Sequence, residues 1–346
     1  MTDCPRATEF NPRYEETFDN SHDVYRELRN KCPVAWSNDY GGFWALFKYE
    51  DVIRVAEDAE TFSVATQNIV PPGPRNAGRR PPLHFDPPEH AIYRDPINPL
   101  FHNSRIKALE PRLTTFADEL LSPMVERGEA DFTQDFAEYF AARAFGEILN
   151  LPLEMMMRVR EIGVRYYRAT TSMDRERMIA SSGELYAVAA EIVTERRTNL
   201  LDPKTDLASA LILAGKNGGT AIADDMVIAS VRQFLSAAQA APGAVLGSIA
   251  AHLARDEALQ DQLRKEPALN PIAVEEFLRL YSPYRVFART ATRDVELRGR
   301  HIKAGEAVTM MFPGANRDED IFEDGDSFRL DRKPNRHIAF GRGAHK

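Results

Sequence analysis

Three groups of residues have types and spacings that could do chemistry. The run His337-Ile338-Ala339-Phe340-Gly341-Arg342-Gly343-Ala344-His345-Lys346 closes the sequence. Its glycines let the backbone turn tightly and approach a neighbour closely, and Phe340 adds a flat apolar face. Taken alone, the run also reads as a surface loop. Upstream, Glu276 and Arg279 stand three apart, so a helix puts them on one face. An exposed pair of this kind contributes little. Arg332 lies just before the glycine run, and a guanidinium–carboxylate–guanidinium cluster could pin that segment to the helix. His90 and Arg94 stand four apart and share a helix face. Two cationic donors there suit a bound dicarboxylate, or make a solvated basic face.

The surrounding pattern says which elements must hold these groups. Asp19 to Lys31 reads as helix. Val34 to Ser37 and Phe43 to Phe47 read as a hairpin across Asn38-Asp39-Tyr40-Gly41-Gly42, and Glu50 to Ala59 as helix. Pro71 to Pro88 is too rich in Pro and Gly for regular structure. Pro87, Pro88 and Glu89 then start a helix that carries His90 and Arg94. Helical spacing dominates from Glu89 to Arg264, with breaks at Asn103-Ser104, Arg127-Gly128, Leu151-Pro152, Asp202-Pro203 and Lys216 to Thr220. Met155, Met156, Met157, Tyr166 and Tyr167 fit either core packing or an adaptable pocket wall. Another helix runs from Pro271 to Tyr281. Asp294 to Leu297, Arg300 to Ile302 and Ala307 to Met311 read as short strands, and Ala315 to His337 as irregular. No linker divides the chain, so a single mixed domain over 1–346, mainly α with small sheets, is expected.

The totals narrow the function class. Of 346 residues, 43% are hydrophobic and 28% charged, as in a globular protein. The formal charge of −8 argues against non-specific nucleic-acid binding. Cys4 and Cys32 match no zinc spacing and suggest no disulfide framework, which fits a reducing, cytoplasmic setting. The stretch Phe234 to Ala254 is apolar, but Gln239, Pro242, Ser248 and His252 mark it as a buried central helix rather than a membrane span.

Taken in order, these features resemble the cytochrome P450 family over nearly the whole chain. The residues that carry the likeness are Asp86-Pro87-Pro88-Glu89-His90 with Arg94, Glu276 with Arg279, Arg289 after Pro283, Ala315-Asn316-Arg317-Asp318, and Phe340 to Lys346. The resemblance implies a P450 fold, incomplete at the C-terminus, and haem b as cofactor. His90, Arg94, Arg289 and His345 would bind the haem propionates, with Phe340 in the haem loop. Glu276, Arg279 and Arg332 would be structural. No metal ligand lies in this chain; the ligating cysteine is expected directly after Lys346. The implied activity is insertion of one oxygen atom from O2 into a small organic substrate. A peroxide-using haem-thiolate enzyme and a non-catalytic haem- or ligand-binding relative are the alternatives.

The oxygen-side helix departs from the family pattern. Where an acid and an alcohol are usual, the run is Ala237-Ala238-Gln239-Ala240-Ala241-Pro242. Gln239, Ala240 and Ala241 are the catalytic-side positions, and neither alanine relays a proton. Pro242 frees the Ala238 carbonyl, which either holds a water or marks a plain kink. Ala237, Arg285 and Phe287 are expected to face substrate, as are Pro71 to His84 and Met155 to Arg168. Arg285 reads as a receptor for a substrate carboxylate, a propionate contact or a solvent-facing turn. The resemblance further implies a monomer that takes electrons from a ferredoxin or flavodoxin with its reductase. Arg105, Lys107, Arg112 and Arg342 are candidates for its docking face. Neither nucleic acid nor membrane is an expected partner.

Overall fold

The structure is a computed structural model that describes residues 10, 20–70, 78–217 and 219–346; the side chains of 217 and 238–240 also lie outside the description. The chain separates into two compact units, Met1–Gly73 with Ala251–Lys346, and Pro74–Ala250.

The first unit is built on a sheet whose strands come from both of its chain segments. β1 (Val34–Ser37) pairs antiparallel with β2 (Phe43–Leu46), the hairpin expected from the sequence. β3 is only Phe62–Ser63, too short to leave a periodic signal. β4 (Val286–Ala291) pairs antiparallel with β3 and with β7 (Ala307–Met311), and β7 lies parallel to β2. The sheet order is β1-β2-β7-β4-β3. β5 (Val295–Leu297) and β6 (Arg300–Ile302) form a separate hairpin. Its two turn residues, Arg298 and Gly299, both have positive φ, the twist that suits a two-residue connection.

Val34, Leu46, Val308 and Met310 pack with Val52, Val55 and Phe322 in one core. The helix Ser21–Lys31 buries Tyr25 and Leu28 against Phe47 and Met311. Arg29 is buried on the same helix and is satisfied by the Gly314 carbonyl at 3.1 Å and the Glu319 carboxylate at 2.9 Å. Cys32 corrects the expectation of no disulfide. It is buried and disulfide-bonded, and Cys4 lies outside the described residues.

The second unit is helical: Glu89–Arg94, Asn103–Arg127, Glu138–Leu149, Leu153–Thr171, Arg175–Thr198, Leu207–Leu213 and most of Asp224–Leu253. Their ends carry the caps that unpaired helix amides require. Asp174 accepts from Arg177 N at 3.0 Å and Asp206 from Ser209 N at 2.8 Å. Gly128 ends the longest of the early helices in the left-handed region, at φ 76°. The core joins Met156, Val159 and Ile162 to Leu185, Val188 and Ile192, and to Val227, Val231 and Leu235.

Asp224–Leu253 runs for 30 residues, and by length and apolar composition it would suffice to cross a membrane. Only 27% of its most apolar window is buried, less than the sequence led us to expect. Burial concentrates at Val227, Ala229, Ser230, Val231, Arg232 and Leu235. The helix continues through Pro242.

Candidate active site

The helix Asn270–Tyr281 places Glu276 and Arg279 one turn apart, both essentially fully buried. Arg279 donates Nε to Glu276 Oε2 at 2.9 Å and Nη2 to Oε1 at 2.8 Å. Arg332 donates Nε to both oxygens, at 3.0 and 3.2 Å. The remaining guanidinium hydrogens reach main-chain carbonyls. Arg279 takes those of Asn316, Gly325 and Ser327, and Arg332 that of Glu323 at 2.7 Å. Burial pushes the Glu276 carboxyl up, but the hydrogen bonds and charges of Arg279 and Arg332 outweigh it, and its pKa falls below the ordinary value. The expected cluster is therefore assembled, and it fastens the irregular segment to the helix.

Asn316 extends this anchor. Its amide donates to Ser282 Oγ at 2.8 Å, and its carbonyl side-chain oxygen accepts from Ile338 N at 2.8 Å. Ile338 and Ala339 are buried, and the chain then emerges at Phe340, which is 50% exposed. Gly341 and Gly343 both sit at positive φ. At Gly343 a Cβ would lie 2.5 Å from the Ala56 carbonyl oxygen, so the loop approaches the helix Tyr49–Glu57 as only glycine allows. His345 follows in a short 3-10 turn and is half-buried.

In the second unit, the helix Glu89–Arg94 holds His90 buried and Arg94 half-buried. Burial lowers the His90 pKa, and the Arg94 charge lowers it further. Burial also lowers that of Arg94. Arg289, on β4, is buried at 6% exposure and donates Nη1 to the Ala288 carbonyl at 2.9 Å. His90 and Arg94 of the second unit are desolvated or half-buried donors of the kind that fits a carboxylate, and Arg289 and His345 of the first unit are of the same kind.

The remaining expected positions divide. Ala241 is buried and Ala237 half-buried on Asp224–Leu253; the side chains of Gln239 and Ala240 lie outside the described residues. Phe287 packs against Tyr284 at 4.8 Å between ring centres. Arg285 is half-buried, and its charge acts on His22 and Tyr25 of the helix Ser21–Lys31. Of the substrate segment Pro71 to His84, residues 71–77 lie outside the description. Met156 is core, whereas Tyr167 is 58% exposed.

Arg105 is corrected as a docking residue. Its guanidinium is taken up by the carbonyls of Leu100, Glu147 and Thr205, at 2.7 to 3.3 Å. Arg112 pairs with Glu147 at 3.0 Å and Arg342 with Glu57 at 3.1 Å. Lys107 is exposed.

One cluster escaped sequence reasoning. Arg232 is fully buried on Asp224–Leu253, beside Tyr166, Tyr186 and Ser182. An arginine inside the apolar run Ala229 to Leu235 was the available signal.

Comparison with known proteins then fixes the class. The family model described as Cytochrome P450 matches residues 164–346. The steroid C26-monooxygenase of Mycolicibacterium smegmatis is 31% identical over 330 residues, covering 94% of this chain and 80% of the relative. The mycinamicin IV hydroxylase/epoxidase of Micromonospora griseorubida is 31% identical over 354 residues, covering 99% and 85%. The crystal structure of CYP109E1 from Bacillus megaterium with testosterone matches at a TM-score of 0.83 and 28% identity, over 96% of this chain and 86% of that one. This chain belongs to the cytochrome P450 family. It is a haem b monooxygenase, an oxidoreductase that inserts one atom of O2 into a small organic substrate with electrons from a redox partner.

Proposed function

We propose that this monooxygenase holds its haem through His90, Arg94, Arg289 and His345, with Phe340 in the haem loop, and that residues 1–346 act as a single P450 domain. The carrying observation is the pair His90 and Arg94. A histidine and an arginine on one helical turn are desolvated enough to lower both pKa values, and a carboxylate ligand would favour the charged form of each. When bound, haem supplies the oxygen-activating redox chemistry. The protein's own residues orient substrate, exclude water and manage protons. Each charge-assisted hydrogen bond contributes about 1.5–3 kcal/mol. Haem titration followed at the Soret band should therefore weaken about 10–100-fold in Arg94→Leu. An unchanged affinity in both Arg94→Leu and His90→Leu would count against the reading.

On the oxygen-side helix, neither Ala240 nor Ala241 holds a proton. We take the proton to come from a water at the Ala238 carbonyl, which Pro242 frees, with Gln239 beside it, or from a substrate group. NADH oxidation tightly coupled to product would support this; turnover on peroxide alone, with NADH uncoupled, would overturn it. Ala237, Arg285 and Phe287 are assigned to the substrate side. The partner is a ferredoxin or flavodoxin with its reductase, and the enzyme works as a cytoplasmic monomer.

A further inference from the structure

Arg232 differs from the buried Arg279 and the half-buried Arg105 in how its donors are used. Arg279 and Arg105 spend theirs on carbonyls and, for Arg279, on a carboxylate. Arg232 is 0% exposed, yet among the described residues Nε and Nη1 have no hydrogen-bond partner, while Nη2 donates to Ser182 Oγ at 3.0 Å. The rings of Tyr166 and Tyr186 lie 5.1 and 5.6 Å from its guanidinium carbon. The groups that act on it most are Arg80, a second cation, and those two tyrosines; none is a carboxylate. Ser230, two residues earlier on the same helix, donates to the Pro81 carbonyl at 3.2 Å and so pins the segment that carries Arg80 against the helix. A buried cation with no carboxylate among the groups that act on it most is costly, and a second guanidinium nearby raises the cost. Burial pushes the Tyr166 hydroxyl up, but the charges and hydrogen bonds of Arg232 and Arg80 outweigh it and lower its pKa, as a local excess of positive charge should.

We propose that Arg232 and Arg80, flanked by Tyr166 and Ser182, form an anion subsite that takes the carboxylate of an apolar organic acid, the substrate class of this enzyme. The apolar body follows from the surroundings. Val231 and Leu235 belong to the core with Leu185 and Val188, and Phe234 stacks on Phe101 at 5.9 Å. The proposal rests on the reading of the chain as a small-molecule monooxygenase, but its test is equilibrium binding and needs no turnover.

Calorimetry would compare dodecanoate with methyl dodecanoate, first on the wild-type protein and then on Arg232→Leu, Arg80→Gln and Arg285→Leu. The wild type should prefer the acid at least tenfold. Arg232→Leu should lose that preference while still binding the ester, and Arg80→Gln should reduce it several-fold. Arg80→Gln alters a half-buried loop position and serves as the readout where Arg232→Leu fails to fold. Equal binding of acid and ester by the wild type overturns the proposal and leaves Tyr166 as the internal counter-charge. A preference that survives both Arg232→Leu and Arg80→Gln also overturns it, as does one lost only in Arg285→Leu. Failure of oxygenase activity in a protein that keeps the preference would strike the monooxygenase reading alone.

Discussion

Glu276→Ala should cost about 3–5 kcal/mol of folding stability, the usual penalty for removing one partner of a buried ion cluster. The loss is not that of a surface pair. Arg279 and Arg332 would remain buried, two cations facing each other across the space the carboxylate leaves. The amide of Arg329, which donates to Glu276 Oε1 at 3.0 Å, would lose its acceptor too, as would Asn335 Nδ2 at 3.1 Å. Against a typical total of about 5–15 kcal/mol, the variant should lose roughly a third or more of its stability. A pH titration separates the charge from the shape. The folded-state pKa of Glu276 lies below its unfolded value of 4.5. Its contribution is therefore fully present above 4.5 and is lost as pH falls through the lower folded value. Wild-type stability should fall over that acid range more steeply than that of Glu276→Gln. An unfolding free energy from urea denaturation of Glu276→Ala within about 1 kcal/mol of wild type would show the cluster to be ornamental.

Gly343→Ala should be the second large effect, at about 2–5 kcal/mol. The left-handed backbone at φ 72° charges an alanine about 1–2 kcal/mol. The added methyl also meets the Ala56 oxygen at 2.5 Å and the Glu57 Cα at 3.1 Å, backbone atoms of a packed helix that cannot swing aside. Overpacking of this kind adds about 1–3 kcal/mol. Gly341→Ala is the control. It has a similar φ of 77°, but its Cβ meets only the Phe312 ring, at 4.0 Å. Denaturant unfolding should rank Gly343→Ala well below Gly341→Ala; equal losses would mean that backbone strain alone sets the cost.

Much of this was readable from residue order because helical spacing is local. Glu276 and Arg279 declare themselves by position, and Arg332 follows from the same cluster logic. The hairpin around Tyr40 and Gly41 is carried by its own turn residues. Other features depend on partners far away in the chain. Phe62–Ser63 is a strand only because β4 lies beside it. Arg105 looks like any surface cation until three carbonyls from separate segments converge on it. Arg232 hides for the same reason, since its meaning lies in Tyr166, Ser182 and Arg80, none of which is near it in sequence. The disulfide at Cys32 likewise left no mark in cysteine spacing.

The divided first unit also has a consequence for biosynthesis. β2 cannot complete its edge until β7 exists, because Phe43 pairs with Ala307. At about 5–20 residues per second, the ribosome delivers that partner on the order of ten seconds or more after β2 has emerged. The helical unit Pro74–Ala250 is synthesised in one piece within that interval. The nascent chain must therefore keep an open strand edge from pairing with a neighbour while its middle folds. That makes the β1–β2 hairpin, rather than the helices, the segment on which a chaperone would have most to do.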